Sequence, residues 1–182
     1  MAWRSESPKR AKRRKGIGQL PMADRLVLLR KGQLSAIETA DFAADAGTHN
    51  FVEARQDVER LLDHESPIVR HDALGTMAYE WGLSSRVDRI LEMLVSDEDR
   101  DCRRQAAAAL GSLLRGQRSE HVLDALVRTA RNTEESMDVR AFAYSSALDV
   151  IGVSRAIQPN PVGLHVSPDE LLALDEYLKG LQ

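Results

Sequence analysis

The apolar positions of this 182-residue chain recur at three- and four-residue intervals, the spacing of one face of an α-helix. One stretch of the pattern returns three times: Val69-Arg70-His71-Asp72-Ala73, Cys102-Arg103-Arg104-Gln105-Ala106 and Val139-Arg140-Ala141-Phe142-Ala143. In each copy an apolar residue precedes an arginine and an alanine follows it by three places. A further apolar residue (Met77, Leu110, Ala147) stands four places beyond the alanine. The arginines are 33 and 37 residues apart, the length of one helix–turn–helix unit. Units of this size bury their apolar faces only by stacking on one another. The pattern therefore predicts an all-α fold, a short right-handed α-solenoid of about four helix pairs.

Stop and start signals place the elements. A short helix is expected from Met22 through Leu26 and Leu29 to Gly32. Ser35-Ala36-Ile37-Glu38 is a capping box and opens a second helix that Gly47 is expected to end. A helix from Asn50 to about Asp63 follows, and Ser66-Pro67 opens its partner, closed by Gly82. The next pairs run from Ser84 or Ser85 to about Gly116, and from Ser119 to Gly152, each with a polar turn inside it. After Gly152 the spacing breaks. Prolines 159 and 161 and Gly163 predict an extended linker over 153–166, because proline disfavours helix in the residue before it. Ser167-Pro168-Asp169-Glu170 then caps a last amphipathic helix, assigned as a C-terminal cap over 167–182. The repeats thus occupy 22–152. Residues 1–21 lack periodicity and read as a basic, disordered tail.

Composition supports helix-on-helix packing, since aromatics are only 4% while Ala and Leu carry most of the apolar content. The net charge of −3 conceals two regions of opposite sign: residues 1–20 carry +6 and the remainder −9. Cys102, the single cysteine, excludes an internal disulfide and reads as a small buried apolar residue rather than a nucleophile. No apolar run approaches the length that spans a bilayer, and no secretory signal pattern follows the charged N-terminus. These features together read as a cytoplasmic protein with no membrane partner.

The second helix of each pair resembles the HEAT-repeat consensus, in the short bacterial form described as phycobilisome-lyase-like. The residues that carry the resemblance are Pro67–Gly75, Cys102–Gly111 and Asp138–Ala143, within a span of roughly 50–152. The resemblance implies a surface, concave in such arrays, lined by second helices and used for protein partners. Outward positions on it would be His71, Asp72, Tyr79, Arg104, Gln105, Ser112, Phe142, Ser145 and Asp149, with Tyr79 and Phe142 as anchors. Arg70, Arg103 and Arg140 stand at first turns beside acidic loops and predict a hydrogen-bond ladder between repeats.

Chemistry is sparse. His71-Asp72 resembles the His-Glu pairs of the HEAT-like di-iron hydroxylases, but the matching places in the other copies hold Arg104-Gln105 and Ala141-Phe142. Several convergent ligands are needed for such a centre. His49, His64, His121 and His165 have no second ligand at metal spacing, and no phosphate loop or nucleophile elbow occurs. The chain accordingly reads as a non-enzyme with no catalytic residue, metal or cofactor. The expected function is a protein-binding adaptor or scaffold. The alternative is a nucleic-acid-associated protein acting through Lys9, Arg10, Lys12, Arg13, Arg14 and Lys15, six cations that would neutralise phosphates or meet an acidic partner. HEAT-like DNA glycosylases use a basic concave face, which an acidic body does not match.

Overall fold

The computed structural model describes residues 16–163 and 165–179, and these form helices and turns without a strand. Nine α-helices follow in order among the described residues: α1 (Met22–Arg30), α2 (Ala36–Thr48), α3 (Arg55–Arg60), α4 (Pro67–Gly75), α5 (Val87–Ser96), α6 (Arg100–Leu113), α7 (Glu120–Arg131), α8 (Met137–Ile151) and α9 (Pro168–Lys179). The second helices α2, α4, α6 and α8 pack on one another in succession, while α5 and α7 back onto α6 and α8. The result is a short α-solenoid. Helix α9 closes one end against α8, burying Leu174 completely.

The repeated triads explain the stacking. Val69, Ala73 and Met77, then Cys102, Ala106 and Leu110, then Val139, Ala143 and Ala147 are all at 0% exposure. Residues spaced four apart share one helix face, so each triad forms a continuous apolar seam. Small residues at the crossings let the backbones approach closely. At Gly111 an added Cβ would lie 2.7 Å from Ser146 Cβ and 2.8 Å from Ser146 Cα, so α6 and α8 meet there nearly backbone to backbone.

Arginines tie the units together at one edge. Arg70 pairs through two nitrogens with Asp97, in the turn of the following unit, and its third nitrogen donates to the carbonyls of His64 and Glu65 at 2.9 Å. Arg103 repeats the arrangement with Glu135 and the carbonyls of Asp97 and Glu98. Arg140 departs from the expected ladder between repeats: it donates within its own unit, to the Ala130 carbonyl of α7 at 3.1 Å. Arg30 of α1 reaches Asp57 of α3, which extends the bracing to the first unit.

Three local expectations are corrected. Gly47 does not end α2: the helix runs on to Thr48, and Asn50, with φ of 49°, turns the chain. Gly47 instead faces Thr76 and Glu80, where a Cβ would come within 2.9 Å and 2.8 Å of their side chains. The expected helix over 50–63 is broken into α3 and two flanking 3₁₀ turns, Val52–Ala54 and Leu61–Asp63. After α4 the chain continues as a wide π turn, Thr76–Glu80, before Gly82 (φ 61°) stops it. Both capping boxes form, Ser35 with Glu38 and Ser167 with Glu170.

Candidate functional site

The second-helix face gathers most of the predicted positions into two clefts that share Tyr79. The first, of about 210 Å³, lies between α2, α4 and α6 and contains His71, Asp72, Tyr79 and Gln105. The second, of about 390 Å³, lies between the π turn, α8 and the segment after α8, and contains Tyr79, Phe142, Ser145 and Asp149. Tyr79 is 48% exposed because the π turn of α4 carries it outward. π turns are rare and concentrate at functional sites. Arg104 lies over the Phe142 ring with 5.5 Å between guanidinium carbon and ring centre, which fixes both side chains at the cleft rim. Ser112 is half-buried and lines neither cleft.

Asp149 departs from the expectation of an outward position. It is 3% exposed, and its carboxylate accepts from Arg115 (2.6 and 2.9 Å), Arg155 (2.7 Å) and Gln158 (2.9 Å). Burial alone would raise its pKa, but the hydrogen bonds of Arg155 and Gln158 and the charge and hydrogen bond of Arg115 prevail and lower it. A carboxylate so enclosed is a structural anchor. What it anchors is the segment expected to be an extended linker. Residues 154–157 instead turn back, Gln158 also bonds the Val153 carbonyl at 2.8 Å, and Ser145 donates to Gln158. The backbone amides of Gly116 and Arg118 donate to the carbonyls of Asp149 and Val150, fastening the α6–α7 turn to the same helix end.

This segment supplies the site residues that the sequence reading missed. Arg155, Gln158 and Asn160 line the second cleft beside Pro159 and Pro161. No periodic signal marks them, since they lie beyond the repeats. Burial pushes the Tyr79 hydroxyl above its ordinary pKa, while the nearby charges of Arg155 and Arg104 oppose that shift.

The remaining candidates find structural places. His71 Nδ1 lies 3.0 Å from the neighbouring Asp72 carboxylate, and no group of three His, Cys, Asp or Glu residues positioned for a metal occurs among the described residues. Cys102 is buried with its thiol on the Pro67 carbonyl at 3.3 Å, and burial, with Asp97 and Asp99 nearby, pushes its pKa up to about 12. Such a thiol is not a nucleophile at neutral pH. No helix among the described residues is long and apolar enough to cross a membrane. The cations Lys9, Arg10, Lys12, Arg13, Arg14 and Lys15 lie outside the described residues.

Compared with known families, residues 48–158 match the model for HEAT repeats, well over half of the chain. No curated protein and no solved structure matches it.

Proposed function

The chain belongs to the HEAT-repeat family, and from that premise we propose that it is a non-enzymatic adaptor that captures a protein on its second-helix face. HEAT repeats generally mediate protein–protein interaction. The observation that carries the reading is the pair of adjoining clefts centred on Tyr79, with Phe142 held under Arg104. Aromatic side chains at partly formed pockets, here exposed Tyr79 and half-buried Phe142, concentrate interface energy. The rest of the face supplies polar groups able to fix orientation: His71, Asp72, Gln105 and Ser145.

The test is crosslinking and affinity capture from the native host with the full chain and with Tyr79→Ala/Phe142→Ala. A partner held on this face is lost with the double variant, whose thermal unfolding must remain cooperative. A partner retained at wild-type yield overturns the assignment. The six clustered cations before residue 16 support a second reading, phosphate binding to a nucleic acid. That binding would weaken steeply with salt and disappear on removal of residues 1–15.

A further inference from the structure

The second cleft lacks the acidity of the body around it: its lining holds one arginine, Arg155, against one carboxylate, Asp149, and Arg115 adds a further cation on that carboxylate. The chain beyond residue 20 carries −9, yet the side chains presented to this cleft are cationic or neutral. Asp149 is the one carboxylate in its lining, and it is withdrawn: 4% of its side chain meets solvent, and both oxygens are filled by Arg115, Arg155 and Gln158. Arg155 is 65% exposed at the side chain and lines the cleft while its Nε and Nη2 hold Asp149. Arg104, held on Phe142, adds a second guanidinium at the rim, and its contact with Asp101 is long, at 3.5 Å. Ser145, Gln158 and Asn160 contribute hydroxyl and amide groups, and Tyr79 and Phe142 contribute aromatic surface. The opposite end of the same face is different, with Asp72 and Glu80 in the first cleft.

We infer that the second cleft receives an extended segment of a partner protein in which an acidic side chain, Asp or Glu, stands beside an apolar or aromatic one. The inference rests on the reading of the second-helix face as the binding face and names the chemistry of what binds there. Guanidinium groups donate strongly to carboxylates, and these two are held in place beforehand, Arg155 by Nε and Nη2 on Asp149 and Arg104 by the Phe142 stack. The apolar neighbour takes the Tyr79 and Phe142 surfaces, and backbone groups of the extended segment meet Ser145, Gln158 and Asn160. Acidic repulsion from the rest of the body confines such a segment to this cleft and sets its direction along the face.

The probe is an array of short peptides, each with Asp or Glu beside Phe or Leu, against matched arrays with Asn or Gln, and with Lys, in place of the acids. Binding to the full chain is read by fluorescence anisotropy. The acidic set binds, and neutralising the acid weakens binding by at least about tenfold. Raising salt weakens it further. Arg155→Ala and Tyr79→Ala each reduce it comparably, and Arg104→Gln does so without touching the contacts of Arg155 and Gln158 on Asp149. Arg128→Ala, on the exposed side of α7, leaves it unchanged. Equal binding of acidic and neutral peptides, preference for the Lys set, competition by inorganic phosphate alone, wild-type binding by Arg104→Gln and Arg155→Ala, or no binding from any array overturns the inference. If the peptides fail while Tyr79→Ala/Phe142→Ala still abolishes partner capture, the binding face stands and only the acidic ligand falls.

Discussion

Arg70 and Asp97 form a two-point ion pair, 2.7 and 2.9 Å long, with 7% and 3% of their side chains exposed. It joins the first turn of α4 to the inner turn of the next unit, so it bears on how the repeats hold together. The hydrogen bonds that Arg70 donates to Asp97 raise its pKa against the opposing effect of burial. Removing one partner leaves the other buried and uncompensated, which costs about 3–5 kcal/mol. Arg70→Ala is expected to lose stability in that range by urea unfolding. Arg70→Met with Asp97→Leu removes both charges, and the loss should be markedly smaller than for Arg70→Ala.

Gly111→Ala tests the closest crossing of the solenoid. Helix propensity alone favours Ala over Gly by about 1 kcal/mol. Against this, the new Cβ would meet Ser146 Cβ, Oγ and Cα at 2.7, 2.7 and 2.8 Å, and backbone cannot move aside as a side chain can. The net expectation is destabilisation by about 1–3 kcal/mol. Ser146→Gly in the same chain removes two of the three contacts and should recover part of the loss. A Gly111→Ala variant more stable than wild type would show that α6 and α8 do not approach this closely.

Glu135 gives the ladder a pH dependence. Its carboxyl is held below the ordinary range by its hydrogen bond to Arg103, with smaller help from the Ser136 amide. The folded pKa is therefore below the unfolded one, near 4.3. The stabilisation is fully present above the unfolded value and is lost as pH falls through the folded value. Wild-type unfolding free energy, measured from about pH 6 downward, should fall more steeply than that of Glu135→Gln. Parallel curves for the two would remove the pair from the acid response.

Asp149→Asn should free the segment after α8 without unfolding the repeats. The variant loses the charge that holds Arg155 and Arg115. Trypsin cleavage after Arg155 is expected to rise by at least about tenfold, because proteolysis follows the population of the opened segment. Cleavage at the wild-type rate would mean that Gln158 and Ser145 hold the segment without the anchor.

The helices were legible because each signal is local. The three signatures placed nine apolar residues that are all fully buried, and Ser35-Ala36-Ile37-Glu38 and Ser167-Pro168-Asp169-Glu170 marked real caps. Local signals failed where a residue served a neighbouring helix. Gly47 reads as a stop but is the gap that admits Thr76 and Glu80. Asp149 falls on an outward position by helical count, yet it is enclosed by Arg115 from 34 residues earlier and Arg155 from beyond the repeats.

The sequence by itself determined the all-α class, the unit length, the buried seams and two of the three arginines expected to brace successive units, Arg70 and Arg103. These follow from the 3.6-residue period and from a motif that repeats at fixed offset, and both are carried by residues close together in the chain. Only the tertiary structure decided that the segment after α8 folds back, that Tyr79 is shared by two clefts, and that Arg104, Arg115 and Arg155 gather around one of them in an acidic body. Those depend on where guanidinium and carboxylate groups from separate units converge, and convergence in space leaves no period in the chain.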